Sequence, residues 1–152
     1  MNDTIVTVEQ LSKSPSGCDC TFVKIGGAGL KCYNDSEQRD RQYQLQQWFA
    51  LRGLAPRAWF SFDFEGPDGE TIYAYYSEIV EVKGHDDYDS KWYRAASDLR
   101  VELKEKFGIN WTDDHGGNVG HNGERFVLID LGYMSGGDLD DIEGLADDHN
   151  VE

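Results

Sequence analysis

The chain has 152 residues, which is enough for one domain with a sizeable apolar core. Its 29 acidic and 14 basic side chains give a formal net charge of −15, which disfavours nucleic acids and membranes as partners and favours a basic protein. No secretory leader and no apolar run long enough to cross a bilayer is visible, so we expect a cytoplasmic protein. The three cysteines are expected to be reduced thiols, because their spacing does not fit a zinc site.

The first part of the chain predicts a β-rich region. Alternating apolar residues predict strands over 5–8 and 21–25, and a glycine-bearing turn at 26–29 leads into a third strand over 30–33. The glycines do not match a phosphate-binding pattern. Lys31 lies on the third strand, directly before a helix signal. It is either an edge-strand lysine in water or a lysine that reaches nucleotide phosphates.

A helix and a β-hairpin follow. Asp35 is positioned to cap a helix over 36–51, and Gly53 ends it. The apolar side of this helix is predicted to carry Tyr43, Leu45, Trp48, Phe49 and Leu51. Aromatic and polar residues then alternate over 58–64, and the chain is expected to return as one strand over 71–82.

A second helix is predicted from Asp89 or Ser90 to Gly108. Its apolar residues recur at spacings of three and four, which indicates one face in the core. That face consists of Trp92, Ala95, Ala96, Leu99, Leu103 and Phe107. Two short strands joined by a turn at 120–124 are expected next.

The most informative stretch joins a polar loop to an apolar strand. Asp113 is followed five positions later by Asn118, and the predicted strand 126–129 leads directly to Asp130. A phosphoryl-transfer site needs a carboxylate near the accepting hydroxyl and oxygen ligands for the Mg²⁺ that neutralises the phosphates. The spacing therefore predicts that Asp113 orients the acceptor and that Asn118 and Asp130 hold magnesium. The alternative is a solvated turn between two strands.

The same residues resemble the protein-kinase-like superfamily, and most closely the small serine/threonine protein kinases encoded by bacteriophages. Residues 113–118 match the Asp-x-His-x-Gly-Asn loop of related small-molecule kinases, and Asp130-Leu131-Gly132 stands where protein kinases have Asp-Phe-Gly. The resemblance covers roughly residues 20–132. It implies a minimal kinase-like α+β fold, with a β-rich N-lobe that contains one helix and a reduced C-lobe.

The resemblance also implies an organisation, a function and its ligands. The N-lobe would span about residues 1–82 and the reduced C-lobe about 83–135, followed by an acidic tail over 136–152. Lys31 would contact the phosphates of ATP, and Mg²⁺ would be the second cofactor. The chain would transfer the γ-phosphate of ATP to Ser or Thr of a host bacterial protein in the cytoplasm of the infected cell.

Three features depart from this pattern and keep alternatives open. Trp111-Thr112 replaces the usual His-Arg or His-Gly, and no substrate-binding helices follow Gly132. The helix positions that would supply a Glu for the strand lysine hold Gln42, Gln44, Gln46 and Gln47. A second hypothesis is therefore a kinase-like acidic protein without turnover, which inhibits a host factor stoichiometrically. Phosphorylation of a small molecule is a third.

Overall fold

The computed structural model describes residues 21–82, 90–112, 118–129, 131 and 134–142. Within these ranges the protein has two α-helices and three antiparallel β-sheets, which confirms the α+β class expected from the sequence. The helices are α1 (Ser36–Ala50) and α2 (Ser90–Phe107). The strands are β1 (Thr21–Ile25), β2 (Ala28–Tyr33), β3 (Ala58–Glu65), β4 (Thr71–Glu78), β5 (Glu81–Val82), β6 (Asn110–Trp111), β7 (Val119–His121), β8 (Phe126–Leu128) and β9 (Met134–Ser135). A 3₁₀ helix spans Gly137–Asp141.

The chain divides into two compact units. Unit 1 comprises Met1–Tyr43 and Arg57–Ile79, and unit 2 comprises Gln44–Pro56 and Val80–Glu152. The boundary falls within α1, so the second half of this helix belongs to unit 2. The sequence does not anticipate this division of the helix. Neither described helix has both the length and the apolar composition that crossing a membrane requires.

Unit 1 contains a four-stranded antiparallel sheet in the order β1-β2-β4-β3. Its register pairs Phe22 with Lys31 and pairs Lys31 with Tyr75. Successive side chains of a strand point to opposite faces, so the residues that alternate with Lys31 form an apolar cluster on the other face. Its buried members are Val23, Leu30, Cys32, Ile72 and Ala74. Cys32 is buried, whereas the predicted strand 5–8 and the other two cysteines lie outside the described residues.

The start of α1 agrees with its predicted cap. Asp35 Oδ1 accepts a hydrogen bond from the Glu37 N–H at 3.2 Å, as an N-cap side chain does. Leu45 and Phe49 are fully buried in the core of unit 2. The helix ends before Leu51, which is 84% exposed, so the expectation that Leu51 lies on the buried side is wrong.

Arg39 ties α1 to the sheet of unit 1. Its Nη1 donates to the carbonyl oxygens of Phe62 (2.9 Å) and Ala74 (3.3 Å) and to Asp63 Oδ1 (2.9 Å), while its Nε donates to Asp40 Oδ1 (2.7 Å). Burial alone would lower the pKa of Arg39, but the hydrogen bonds and charges of the two aspartates raise it above its ordinary value. The guanidinium therefore stays charged inside the unit and holds the helix against two strands.

Unit 2 has one core, built on α2. The predicted apolar face is confirmed, since Trp92, Ala95, Ala96, Leu99 and Leu103 are buried and Phe107 is partly buried. The residues that close this core come from α1, the loop after it, the short strands and the 3₁₀ helix: Leu45, Phe49, Leu54, Trp111, Val119, Leu128, Met134 and Leu139. Leu139 lies in the segment expected to be an acidic tail, so the described beginning of that segment is packed.

The short strands of unit 2 form two sheets, with the orders β5-β7-β8 and β6-β9. The prediction of a single strand over 71–82 is wrong. Strand β4 ends at Glu78, and β5 pairs with β7 in another sheet, with Glu81 opposite His121. Strands β6 and β9 have two residues each and are not predicted by the sequence. A two-residue strand is too short to show an alternating pattern.

We expect Arg39→Gln to lower the free energy of unfolding by about 2 kcal/mol, because the variant loses charged hydrogen bonds to Asp63 and to the backbone carbonyl groups of Phe62 and Ala74. Urea unfolding followed by circular dichroism measures the change. Arg41→Gln removes the same charge from the same helix and is expected to change the value by less than about 0.5 kcal/mol. Equal losses in the two variants would contradict the role assigned to Arg39.

Candidate functional site

The sequence predicts four site residues, Lys31, Asp113, Asn118 and Asp130, and the structure describes two of them. Lys31 lies on β2 in unit 1, and Asn118 lies immediately before β7 in unit 2. Asp113 and Asp130 lie outside the described residues, so their roles stay predictions. Asp113 directly follows Thr112, the last described residue after β6.

The β7–β8 hairpin determines which residue lies opposite Asn118. Its register pairs Val119 with Leu128, and the Ile129 N–H donates to the Asn118 carbonyl oxygen at 3.0 Å. Asp130 follows Ile129 in the chain, and consecutive Cα atoms are about 3.8 Å apart. The register therefore places residue 118 opposite the residue that precedes Asp130. Twelve sequence positions separate the two predicted metal ligands, and the hairpin brings their strand ends together.

The turn of this hairpin is held by local hydrogen bonds. Asn122 Oδ1 accepts from the N–H groups of Glu124 (2.8 Å) and Arg125 (2.9 Å), and the Asn122 N–H donates to the Arg125 carbonyl oxygen at 3.2 Å. The Gly123 N–H donates to His121 Nδ1 at 3.0 Å. An Asx-type turn with a glycine at positive φ is a compact way to reverse two short strands.

The hairpin is also fixed to the core of unit 2. The Leu128 N–H donates to the Leu54 carbonyl oxygen at 2.8 Å, which ties β8 to the loop after α1. Gly120 lies under the side chains of Val80 and Ile129, and a Cβ atom there would come within 2.9 Å of Ile129 Cγ2. A side chain at residue 120 would therefore push apart the strands that position Asn118.

A charged cluster joins the turn of the hairpin to α2. Arg125 Nη2 and Lys106 Nζ each donate to a carboxylate oxygen of Glu102 at 2.9 Å. Burial alone would raise the pKa of Glu102, but the hydrogen bonds and charges of Arg125 and Lys106 lower it below its ordinary value. Glu102 is therefore ionised at neutral pH and anchors the hairpin through its arginine.

The chemistry of the pair at the hairpin fits magnesium. Asn118 is 5% exposed and has a side-chain carbonyl oxygen, while Asp130 would add a carboxylate. Mg²⁺ prefers a few hard oxygen ligands and keeps its other positions for water and phosphate oxygens. Among the described residues, no three His, Cys, Asp or Glu side chains gather as a metal site. Asn118 and Asp130 are the residues that would hold magnesium at the hairpin.

Lys31 is placed differently from an edge-strand lysine. Strand β2 lies between β1 and β4, and the Lys31 side chain is half-buried. Its Nζ lies 5.8 Å from the centroid of the Tyr75 ring, a cation–π distance, and Tyr75 itself is buried between Tyr33 and Tyr43. An aromatic face, which the sequence alone does not predict, therefore contributes to the position of the ammonium group.

One of the four glutamines of α1 has a structural role. Gln46 is fully buried, and its Nε2 donates to the Pro56 carbonyl oxygen at 2.9 Å. This bond joins the second half of α1 to the end of the loop that follows it, within unit 2. The Gln46 side chain therefore stabilises the fold of unit 2.

The structure also shows a cavity that the sequence did not predict. It has a volume of about 530 Å³ and lies within unit 2. Its described lining consists of Arg100, Lys104, Ile109, Asn110, Trp111 and Thr112. One sequence signal points to this cavity. Arg100 and Lys104 are four residues apart on the exposed side of α2, and this spacing places two side chains next to each other on a helix.

Comparison with protein-family models, with curated protein sequences and with solved structures gives no match for this chain. The functional argument therefore depends on the residues and on the geometry described above.

We expect Glu102→Gln to lower the free energy of unfolding by about 1 kcal/mol at pH 7, because the variant loses two charged hydrogen bonds. The folded-state pKa of Glu102 is lowered, so its contribution is complete above the unfolded value near 4.5 and is lost as pH falls through the folded value. Urea titrations of both proteins between pH 7 and pH 3 measure the difference. Glu105→Gln, an exposed substitution on the same helix, is the control. A difference that persists at pH 3 would contradict the charge-based account.

Proposed function

We propose that this protein is a kinase-like enzyme that transfers the γ-phosphate of ATP to a Ser or Thr hydroxyl of a protein, with a host bacterial protein as the acceptor. The observation that carries the proposal is the β7–β8 register. The Ile129 N–H donates to the Asn118 carbonyl oxygen, so Asn118 lies opposite the residue that precedes Asp130 in the chain. An amide oxygen and a carboxylate at adjacent strand ends would be the ligands that the protein contributes to a magnesium–nucleotide site.

The proposed roles follow from the chemistry of each side chain. Asn118 and Asp130 would bind Mg²⁺, which neutralises phosphate charge when bound. Asp113 would orient the acceptor hydroxyl and take its proton as the new P–O bond forms and the bond to the ADP oxygen breaks. Lys31 would contact the α- and β-phosphates as a point charge. The proton ends on Asp113 and the leaving group is ADP, so the step needs no further reactant.

The order of elements supports the same function. A strand bearing Lys31 precedes α1, a β-hairpin follows, and the long α2 leads through β6 to Thr112, the residue before Asp113. This is the order that the kinase resemblance implies. The ring of Tyr75 lies within cation–π distance of the Lys31 ammonium and so helps to hold the lysine of this strand in position.

We expect the wild-type protein to be stabilised by ATP with Mg²⁺ and to transfer labelled phosphate to protein acceptors, because a ligand that binds only the folded state raises the melting temperature. Asp113→Ala is expected to lower the rate of transfer by about 10²-fold or more, the scale of a positioned base. Asp130→Asn and Lys31→Met should reduce both transfer and the thermal shift. Scintillation counting of labelled protein and differential scanning fluorimetry measure the two effects.

Two matched variants control for this experiment. Asp68→Ala removes a carboxylate from the exposed β3–β4 turn, and Lys24→Met removes an ammonium from β1, the strand next to β2. Both should keep the wild-type rate. Unchanged transfer in Asp113→Ala and Asp130→Asn, or no thermal shift by ATP with Mg²⁺ in the wild type, would overturn the proposed function.

A second candidate function, stoichiometric binding of a basic protein, is favoured by the surface of β3. This strand is at one edge of the described sheet of unit 1, with Trp59 40% and Phe60 63% exposed. Glu65 adds an exposed carboxylate along the same strand, and Asp63 adds a second one that also accepts a hydrogen bond from Arg39. An extended segment that alternates apolar and basic residues would pair with such an edge and match its charge. The net charge of −15 acts in the same direction.

This candidate predicts that an eight-residue peptide alternating valine and lysine binds the protein, and that the double variant Trp59→Ser/Phe60→Ser weakens binding by about tenfold. Fluorescence anisotropy of the labelled peptide at 50 mM and 300 mM salt measures the affinity, which should fall as salt rises. Leu51→Ser, at an exposed apolar residue outside the sheet, should bind normally. Equal binding of a valine–glutamate peptide would contradict this candidate.

A further inference from the structure

The cavity in unit 2 combines positive charge with polar groups. Arg100 and Lys104 are exposed side chains one turn apart on α2, so they lie next to each other on the helix surface. Lys104 Nζ donates to Asn110 Oδ1 at 3.1 Å, which directs the ammonium group toward β6. Asn110 and Thr112 add an amide and a hydroxyl to the lining. These are the groups that recognise a carboxylate through charge-assisted hydrogen bonds.

The helix that supplies these cations is unusual in this chain. It carries five basic and three acidic side chains, a net charge of +2, although the whole protein has a net charge of −15. Glu102, one of the three acids, is bound by Arg125 and Lys106. In the described part of the chain, the charge of Lys104 is met by the amide of Asn110 rather than by a carboxylate. Two of the five basic side chains of this helix, Arg100 and Lys104, line the cavity.

The wall of the cavity leads directly to the predicted acceptor-orienting residue. Trp111 and Thr112 both line the cavity, and Asp113 is the next residue in the chain. Trp111 is 2% exposed, so the part of the cavity lining that it forms is held in place by packing. Its indole N–H has no acceptor among the described residues. The Cα atoms of Thr112 and Asp113 are about 3.8 Å apart because the two residues are consecutive, so a group bound at Thr112 would lie close to the residue that is proposed to orient the acceptor hydroxyl.

We infer that this cavity binds an acidic side chain of the acceptor protein, close in sequence to the Ser or Thr that receives phosphate. The inference rests on the proposed function and specifies its substrate class. The overall charge of the protein repels acidic peptides, so a preference for them has to come from local cations. The planar guanidinium of Arg100 suits a carboxylate in a two-point contact, and Lys104 adds a second charge.

The experiment compares two serine peptides that differ only in having two glutamates or two glutamines within three residues of the serine. The KM for phosphate transfer is measured for each peptide, and fluorescence anisotropy measures peptide binding without nucleotide. The wild type is expected to favour the glutamate peptide by about tenfold in both measurements, the scale of one charged hydrogen bond. In the variant Arg100→Gln/Lys104→Gln, the ratio of the values for the two peptides should fall to about one.

The control variant Lys91→Gln/Arg94→Gln removes the same two charges from the same helix outside the cavity, and it should keep the preference. Urea unfolding tests whether both variants remain as stable as the wild type. Binding of the glutamate peptide through Arg100 and Lys104 without any phosphate transfer would support the cavity as an acidic-peptide site and overturn the proposed function. Transfer with no preference for glutamate, or an equal loss of preference in both variants, would overturn the cavity inference and leave the proposed function standing.

Discussion

The register of the β7–β8 hairpin is the constraint on which the functional account depends. A slip of one residue would turn every side chain of a strand to the opposite face, and Asn118 would then no longer lie opposite Ile129. Three independent features hold the register: the Asn122 turn, the bond from Leu128 to the Leu54 carbonyl group and the close approach at Gly120. A short hairpin with so many attachments is a rigid support, as the proposed metal site would require, because metal ligands have to be held to within fractions of an ångström.

Several basic residues of this acidic protein make specific structural contacts or line one cavity. Arg39 joins α1 to the sheet of unit 1, and Arg125 joins the hairpin turn to Glu102 of α2. Arg100 and Lys104 concentrate at one cavity, and Lys31 lies over an aromatic ring. The excess of carboxylates elsewhere keeps the surface strongly negative. Local cations and a general negative field favour ligands of opposite charge, so the proposed acidic-peptide site and the proposed basic-peptide site would not compete for the same ligand.

Local signals predicted the larger elements well, and contacts between distant residues explain the rest. The cap at Asp35, the apolar face of α2 and the glycines after both helices were sufficient to place α1 and α2 within a residue or two. The separation of β5 from β4, the two-residue strands and the burial of Leu139 depend on tertiary pairing that leaves no periodicity in the sequence. The candidate site shows the same limit. The sequence predicted the two short strands and the turn between them at 120–124, whereas the ring near Lys31 and the cavity at Arg100 required the fold.

The most direct test of the central claim is paramagnetic broadening of backbone amide signals by Mn²⁺, used in place of Mg²⁺, in the isotope-labelled protein with ATP. The account predicts selective broadening at Val119, Ile129 and Leu131 at low Mn²⁺, and loss of that broadening in Asp130→Asn. Asp138 and Asp140 of the 3₁₀ helix serve as an internal reference, because they attract cations by charge alone. Broadening that is no stronger at the hairpin than at these aspartates, or that survives in Asp130→Asn, would contradict the account.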